Sequence, residues 1–373
     1  AREALAGKDG LLLVLYGDAP LLSADTLRSL IGKQRQEAGA ATVLTTIIED
    51  PAGYGRIVRD KAGKLSAIVE QKAGTPEQLA IREINSGICC FDTTLLWKHI
   101  DEIKPDNPAR EYYLTEIIEI FRRTGHAVSA LLHQDSQELL GINTRVELAA
   151  VDRIFRERKV RRLMLDGVTI EKPETVTIDD GVTIGIDTII EPFVQILGKT
   201  AIGQDCRVRA CSVLRNVNLG DSVSIGPFTF AADSEFENGA IAGPFSRLRG
   251  GSHLEQGAET GNFVELKNTR LGPKAKARHL AYLGDAQIGP RVNIGAGTIT
   301  CNYDGVKKHP TKIGAGVFVG SNSTLVAPLD LGEGSYIGAG SVVTEYVPED
   351  ALALGRARQV NKPDWATKRR KKD

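Results

Sequence analysis

Aliphatic residues recur at every sixth position over two long stretches of this chain, and few architectures accommodate that interval. Ile178, Ile184, Ile190, Ile196, Ile202 and Val208 keep strict register, as do Ile313, Val319, Leu325, Leu331, Ile337 and Val343. Gly185, Gly203, Gly314, Gly320, Gly332 and Gly338 each follow one of them. A period of six matches neither the helical turn nor the two-residue alternation of a flat strand. It marks a parallel β-helix of hexapeptide repeats. Three hexads close a triangular coil of about 18 residues, aliphatic side chains inward and small residues at the corners. Spacing alone leaves the hand of the coil open.

Register then places individual side chains. Leu248, Leu254, Thr260 and Leu266 extend one inward phase, so Arg249 and Lys267, each following an inward residue, project outward. They are one full coil apart, which stacks them about 4.8 Å from each other. Two cations that close repel. The pair either grips an anion, with phosphate the natural guest, or stands as a solvated basic ladder. Ser321 and Ala339 are also one coil apart and form a small, flat wall where a long ligand fits.

The arithmetic fails twice. Neither the step from Leu266 to Ile288 nor that from Thr300 to Ile313 is a whole number of hexads. The first gap contains His279 and Tyr282; the second contains Asn302, Tyr303, Lys308 and His309. Irregular insertions on a rigid scaffold are common places for a site. His279 reads either as a general base or as a structural histidine.

Ahead of the repeat, strands and helices alternate, which makes residues 1–145 an α/β domain of Rossmann-like type. Leu11 to Leu15 reads as a buried parallel strand ending in a sharp turn at Tyr16, Gly17, Asp18 and Pro20. Ser23 caps a helix of about 14 residues. Strands follow at 41–48 and from Ile84, a hairpin-like pair at 53–58 and 65–70, and a helix at 113–124. Residues 146–166 form a linker helix, and 167–373 form the β-helix and a C-terminal tail. Ligands of open α/β sheets bind beyond the carboxyl ends of strands. There Asp18 either holds a hard cation such as Mg²⁺ or merely starts the turn.

Lys plus Arg and Asp plus Glu both number 47, so no net field draws nucleic acid or a membrane surface. The run Lys368, Arg369, Arg370, Lys371 and Lys372 reads as a solvated tail. Five cysteines, two of them adjacent and none in a C-x-x-C pair, argue for a reducing cytoplasm rather than disulfides or zinc. The chain begins with Ala, and its one Met is Met164, so it reads as a fragment or a processed chain.

The segments LYGDAPLL, GYGRIV, EINSGI, GPFSRLRGG, GNFVELKN, HLAYLGDAQIG, NIGAGTITCNYDG and VGSNSTLVAP run in order along most of the chain. In them it resembles the bifunctional bacterial enzymes that join glucosamine-1-phosphate N-acetyltransferase to N-acetylglucosamine-1-phosphate uridylyltransferase. The resemblance implies a left-handed β-helix assembled as a homotrimer, with acetyl-CoA bound between subunits. It implies that His279 is the catalytic base and that Arg249 and Lys267 bind the sugar phosphate. Tyr282, Asn293, Asn302 and Tyr303 match sugar-phosphate or acceptor contacts, and Lys308 a loop lysine. Ala296, Ser321, Ala339 and Arg356 match acetyl-CoA positions. In the front domain Tyr16, Gly17, Gly55, Glu70 and Asn85 match contacts to UTP and N-acetylglucosamine-1-phosphate, and Asp18 and Asn143 match Mg²⁺ ligands. The Gly-rich loop that grips the triphosphate in such enzymes falls before Ala1, so the chain as written is expected to lack uridylyl transfer. Arg278 stands before His279 where these enzymes usually carry a small residue.

Other readings stay open at this point. Another hexapeptide acyltransferase fits the repeat, as does a non-catalytic scaffold. A γ-type carbonic anhydrase needs three histidines on zinc, but His253, His279 and His309 lie far apart in the sequence and include no close pair.

Overall fold

Two layers of apolar side chains, one on each face of a mixed sheet, organise the front unit. The structure, a computed structural model, describes residues 3–5, 8–105 and 110–370, so Lys371 and Lys372 of the basic tail lie outside the described residues. It separates into two units, Ala1–Phe155 and Arg156–Asp373. No helix among the described residues is long and apolar enough to cross a membrane.

In the front unit the elements are β1 (Leu11–Val14), α1 (Ala24–Glu37), β2 (Ala41–Ile47), β3 (Gly55–Arg59), β4 (Leu65–Val69), α2 (Pro76–Leu79), β5 (Glu83–Asp92), α3 (Thr93–His99), α4 (Glu116–Arg123) and β6 (Val128–Leu132). The sheet order is β4-β3-β5-β2-β6, with β1 beside β5. Ser23 caps α1 as expected, its side chain accepting from the Thr26 N–H. The long apolar strand β5 carries the sheet. It pairs β3 through its first half and β1 through its second, while β2 runs along its other edge.

One expectation fails here. β1 is neither a buried nor a parallel strand; it runs antiparallel to β5, Leu12 to Val14 are half-buried, and Leu11 and Leu15 are exposed. The reason is visible in the packing. Leu12 and Val14 join the core around Phe91 and Phe121 on one face, and Leu13 joins that around Leu30 and Leu44 on the other. An aliphatic run encodes cover on both faces of a sheet, but not the direction of the neighbouring strand.

A 21-residue helix α5 (Arg145–Leu165) leads into the second unit. There Val160 and Leu163 enter the solenoid core, and the buried Lys159 donates from Nζ to the Asp180 and Val182 carbonyls at 2.7 Å each. Beyond it the chain winds as a parallel β-solenoid of short strands in which each coil bonds to the next. The predicted inward residues are its core: Ile178, Ile190, Ile196, Val208, Val319, Leu325 and Ile337 are all buried. Because each coil contacts its neighbours alone, the stack is a ruler on which sequence offsets read as vertical positions.

The ruler also corrects the phase breaks. Leu266 to Ile288 is not an irregular insertion. The inward positions run Leu266, Leu271, Ala277, Leu283, Ile288, so two hexads each lose one residue. The same contraction occurs earlier, between Leu214 and Leu219 and between Ala231 and Phe236, where strict counting had missed it. Shortened corners place Asn216, Asp233, Asn268 and Asp285 at positive φ, a region Asn and Asp tolerate better than other residues. The break after Thr300 is a true insertion. Ile288, Ile294 and Thr300 pair with Ile313, Val319 and Leu325, so this one coil carries an extra loop without losing register.

Candidate functional site

Four residues expected to serve one reaction share one position in successive coils. His279 is the register partner of Asn262 on the coil before it. Lys276 opposite Asn293 and Tyr282 opposite Ile299 hold a constant offset, which sets Ala296 over His279. Ile294 opposite Val319 and Ile299 opposite Thr324 set Ser321 over Ala296. Val319 opposite Ile337 and Thr324 opposite Val342 set Ala339 over Ser321. The corner is stitched by backbone bonds, Gly297 N–H to Leu280 O and Asn322 N–H to Ala296 O at 2.7 Å, and Gly340 N–H to Ser321 O at 2.8 Å. Arg356 ends the column with its Cδ beside Gly340. His279 is thus the foot of a narrow wall of small side chains. It is exposed, and its imidazole makes no hydrogen bond or ion pair among the described residues.

Arg278, which stands before His279, is accounted for. Its Nε donates to Glu259 Oε2 at 2.7 Å, and Lys276 pairs with the same carboxylate at 3.4 Å. The guanidinium is therefore anchored to the coil below.

A second column gathers the polar residues. Arg249 and Lys267 are register partners, as the spacing requires. They are not two bare cations awaiting an anion, however. Arg249 Nε donates to Glu265 Oε1 at 2.8 Å, and Lys267 Nζ lies 3.2 Å from Asp285 Oδ2. In each case a carboxylate on the following coil balances the charge that simple stacking left unopposed. Asn302, on the coil above Asp285, donates from Nδ2 to Asp285 Oδ2 at 2.5 Å, and Asn268 donates to Oδ1 at 2.8 Å. Burial alone would raise the Asp285 pKa, but these donors and the Lys267 charge bring it below the ordinary carboxylate value. Tyr282 turns toward the same place. A Cβ at Gly284 would fall 2.5 Å from Tyr282 Oη and 2.7 Å from Asn302 Nδ2, so the bare glycine lets both side chains converge.

The inserted loop adds Tyr303 and Lys308, which bridge each other across a tight hairpin. Asp304 ties the loop down, accepting from the Val306 and Lys307 N–H groups at 2.7 and 2.6 Å and pairing with His309 Nε2 at 2.7 Å. These bonds hold its carboxyl far below the usual range. The loop brings Lys308 to Lys267. The Lys308 amine beside Lys267, then Asp285, holds Lys267 above the ordinary lysine value, while the same contact with Lys267, and then its charge, push Lys308 below it. A cavity of about 400 Å³ opens here, lined by Asn268, Asp285, Lys308 and His309 among others.

Asn293 is not drawn into either group. It stands on a separate column with Lys276 below and Phe318 above. His253, His279 and His309 do not meet either. The metal-capable cluster found among the described residues is Glu237, His253 and Glu255, and there His253 is taken by Glu237 and Glu255 by Arg270. Sequence reasoning missed Asp285, Glu265 and Gly284. Asn268, Asp285 and Asn302 recur at a constant interval of 17, a signal hidden as long as every coil was assumed to hold three full hexads.

In the front unit the expected contacts also converge at one end of the sheet. Gly55 is the register partner of Asn85 and lies against the Glu70 carboxylate. Glu70 Oε1 accepts from Thr115 Oγ1 at 3.0 Å. Burial first, then the charges of Cys89, Glu70 and Asp18, raise the Tyr16 phenol pKa. Gly17 follows it in the exposed turn. The Ile142 N–H donates to the Asp18 carbonyl at 3.0 Å, which places Asn143 in the neighbouring loop.

Comparison with known proteins identifies the family. The bacterial transferase hexapeptide family (six repeats) matches residues 181–216 and 310–345. The polar column lies between those blocks, where successive coils are shortened at a corner and one is lengthened by the inserted loop. The chain is 60% identical over 370 residues to the bifunctional protein GlmU of Solibacter usitatus, covering 99% of this chain and 79% of that one. It is 52% identical over 372 residues to that of Koribacter versatilis, covering 99% and 79%. With that of Pelobacter propionicus it shares 46% over 372 residues, covering 100% and 81%. At this identity and coverage, the chain belongs to the family of bifunctional GlmU proteins.

Proposed function

We propose that the solenoid transfers an acetyl group from acetyl-CoA to the amine of glucosamine-1-phosphate. The observation that carries this reading is the vertical alignment of His279 with Ala296, Ser321 and Ala339. A thioester laid along the small-residue wall, with Arg356 at its far end, would present its carbonyl near the imidazole. His279 takes a proton as the amine nitrogen attacks the thioester carbon. The C–N bond forms, the C–S bond breaks, and the imidazolium returns the proton to the departing thiolate. Arg249, Lys267 and Lys308 hold the phosphate, and Tyr282, Asn302 and Tyr303 orient the sugar. Asn293, on its own column, fits a site completed between subunits of a homotrimer.

The residues of the front unit would serve the second activity, uridylyl transfer from UTP to N-acetylglucosamine-1-phosphate giving UDP-N-acetylglucosamine and pyrophosphate, in a chain that also carries the loop gripping the triphosphate. Tyr16, Gly17, Gly55, Glu70 and Asn85 would contact the nucleotide sugar. Asp18 and Asn143, oxygen donors on two loops bonded to each other, suit a hard divalent cation such as Mg²⁺. When bound, the cation would offset charge on the phosphates. The division of labour would follow residues 1–145 and 167–373, joined by the helix 146–166. Five free thiols fit a cytoplasmic protein.

Coenzyme A release, measured with glucosamine-1-phosphate, glucosamine or serine as acceptor, tests the reading. Release confined to the sugar phosphate supports it; release with serine alone would replace it with another acyltransferase.

A further inference from the structure

We infer that Asp285 is a positioning residue that fixes the Lys267 ammonium and the Asn302 amide for the sugar phosphate. The inference rests on the acetyl-transfer reading above. Asp285 stands between the coil bearing Lys267 and the coil bearing Asn302, and its carboxylate takes a donor from each: Lys267 Nζ at 3.2 Å and Asn302 Nδ2 at 2.5 Å. Asn268 Nδ2 at 2.8 Å occupies the other oxygen, so the carboxylate cannot swing away from either. Its backbone is held as well, the N–H donating to the Lys267 carbonyl at 2.9 Å and the carbonyl accepting from Thr311 at 3.2 Å. The group is 14% exposed, and the Lys267 side chain 17%. Solvent therefore replaces these contacts poorly.

The arrangement solves a specific problem. Lys308 reaches Lys267 from the inserted loop, and two neighbouring ammonium groups would push each other out of position in the absence of a phosphate. Asp285 faces both and holds Lys267 on the corner. The prediction opposes that of charge counting. Removing a carboxylate beside an anion site makes the site more positive and, by charge alone, would tighten phosphate binding. If Asp285 positions Lys267, its removal weakens binding.

The test measures glucosamine-1-phosphate binding by calorimetry, and KM and kcat by coenzyme A release, on the full chain carrying Asp285→Asn, Lys267→Met or both. Asp285→Asn should raise the dissociation constant and KM about tenfold, with a smaller change in kcat. In the Lys267→Met background it should add no comparable loss, because its effect passes through Lys267. Tighter or unchanged binding in Asp285→Asn, or full additivity with Lys267→Met, would overturn the inference while leaving the acetyl-transfer reading in place. Wild-type protein that neither binds nor acetylates the sugar phosphate would overturn both.

Discussion

Ala296 lies one coil above His279 at the same corner position, so the proposed base stands beneath a wall whose side chains are one or two heavy atoms long. A site built on a solenoid corner inherits its geometry from the spacing of coils. Its most sensitive positions are those where a larger side chain would rise from the wall.

Ala339 is exposed, three coils above His279. Ala339→Leu should leave the melting temperature unchanged, since an exposed substitution of this kind costs less than about 0.5 kcal/mol. It should raise KM for acetyl-CoA about tenfold by filling the wall, leaving KM for the sugar phosphate alone. Steady-state kinetics with each substrate varied in turn checks the split.

Gly320 behaves differently, although it is next to Ser321. A Cβ there would meet the Ala339 backbone nitrogen at 2.5 Å, and backbone cannot rotate out of the way. Gly320→Ala should therefore cost about 1–3 kcal/mol of stability by overpacking the corner. Urea denaturation should show the loss, with coenzyme A affinity changed less than in Ala339→Leu.

The contrast between those positions shows how much of the molecule was legible beforehand. Inward aliphatics at six-residue spacing announced the solenoid, because nothing else buries one residue in six. Arg249 and Lys267 were placed as register partners from the same count. What counting could not show was the shortened corner: a hexad that loses a residue keeps its inward aliphatic, and the eye reads it as an insertion. That concealed the regular column of Asn268, Asp285 and Asn302, and with it the carboxylate between Lys267 and Asn302. In the front unit, β1 was recognised as a strand but taken as buried and assigned the wrong direction: its residues are half-buried or exposed, and an apolar run carries no record of which neighbour takes the backbone hydrogen bonds.

Asp285 also predicts a pH dependence of stability. Its folded pKa is lowered, so its contribution is present above the unfolded value and is lost as pH falls through the folded one. The stability difference between wild type and Asp285→Asn should be constant above about pH 5 and shrink below about pH 4. Denaturant midpoints across that range check the sign. A difference that grew on acidification would contradict the pairing.

The most direct measurement of the central claim is the single-turnover rate of acetyl transfer to glucosamine-1-phosphate in His279→Ala, beside coenzyme A binding by the same variant. A base that removes the amine proton should, when deleted, lower the rate by about 10²- to 10⁴-fold, with coenzyme A binding intact because the wall above it is untouched. A rate within about twofold of wild type would contradict the assignment of His279 and with it the reading of the column it supports.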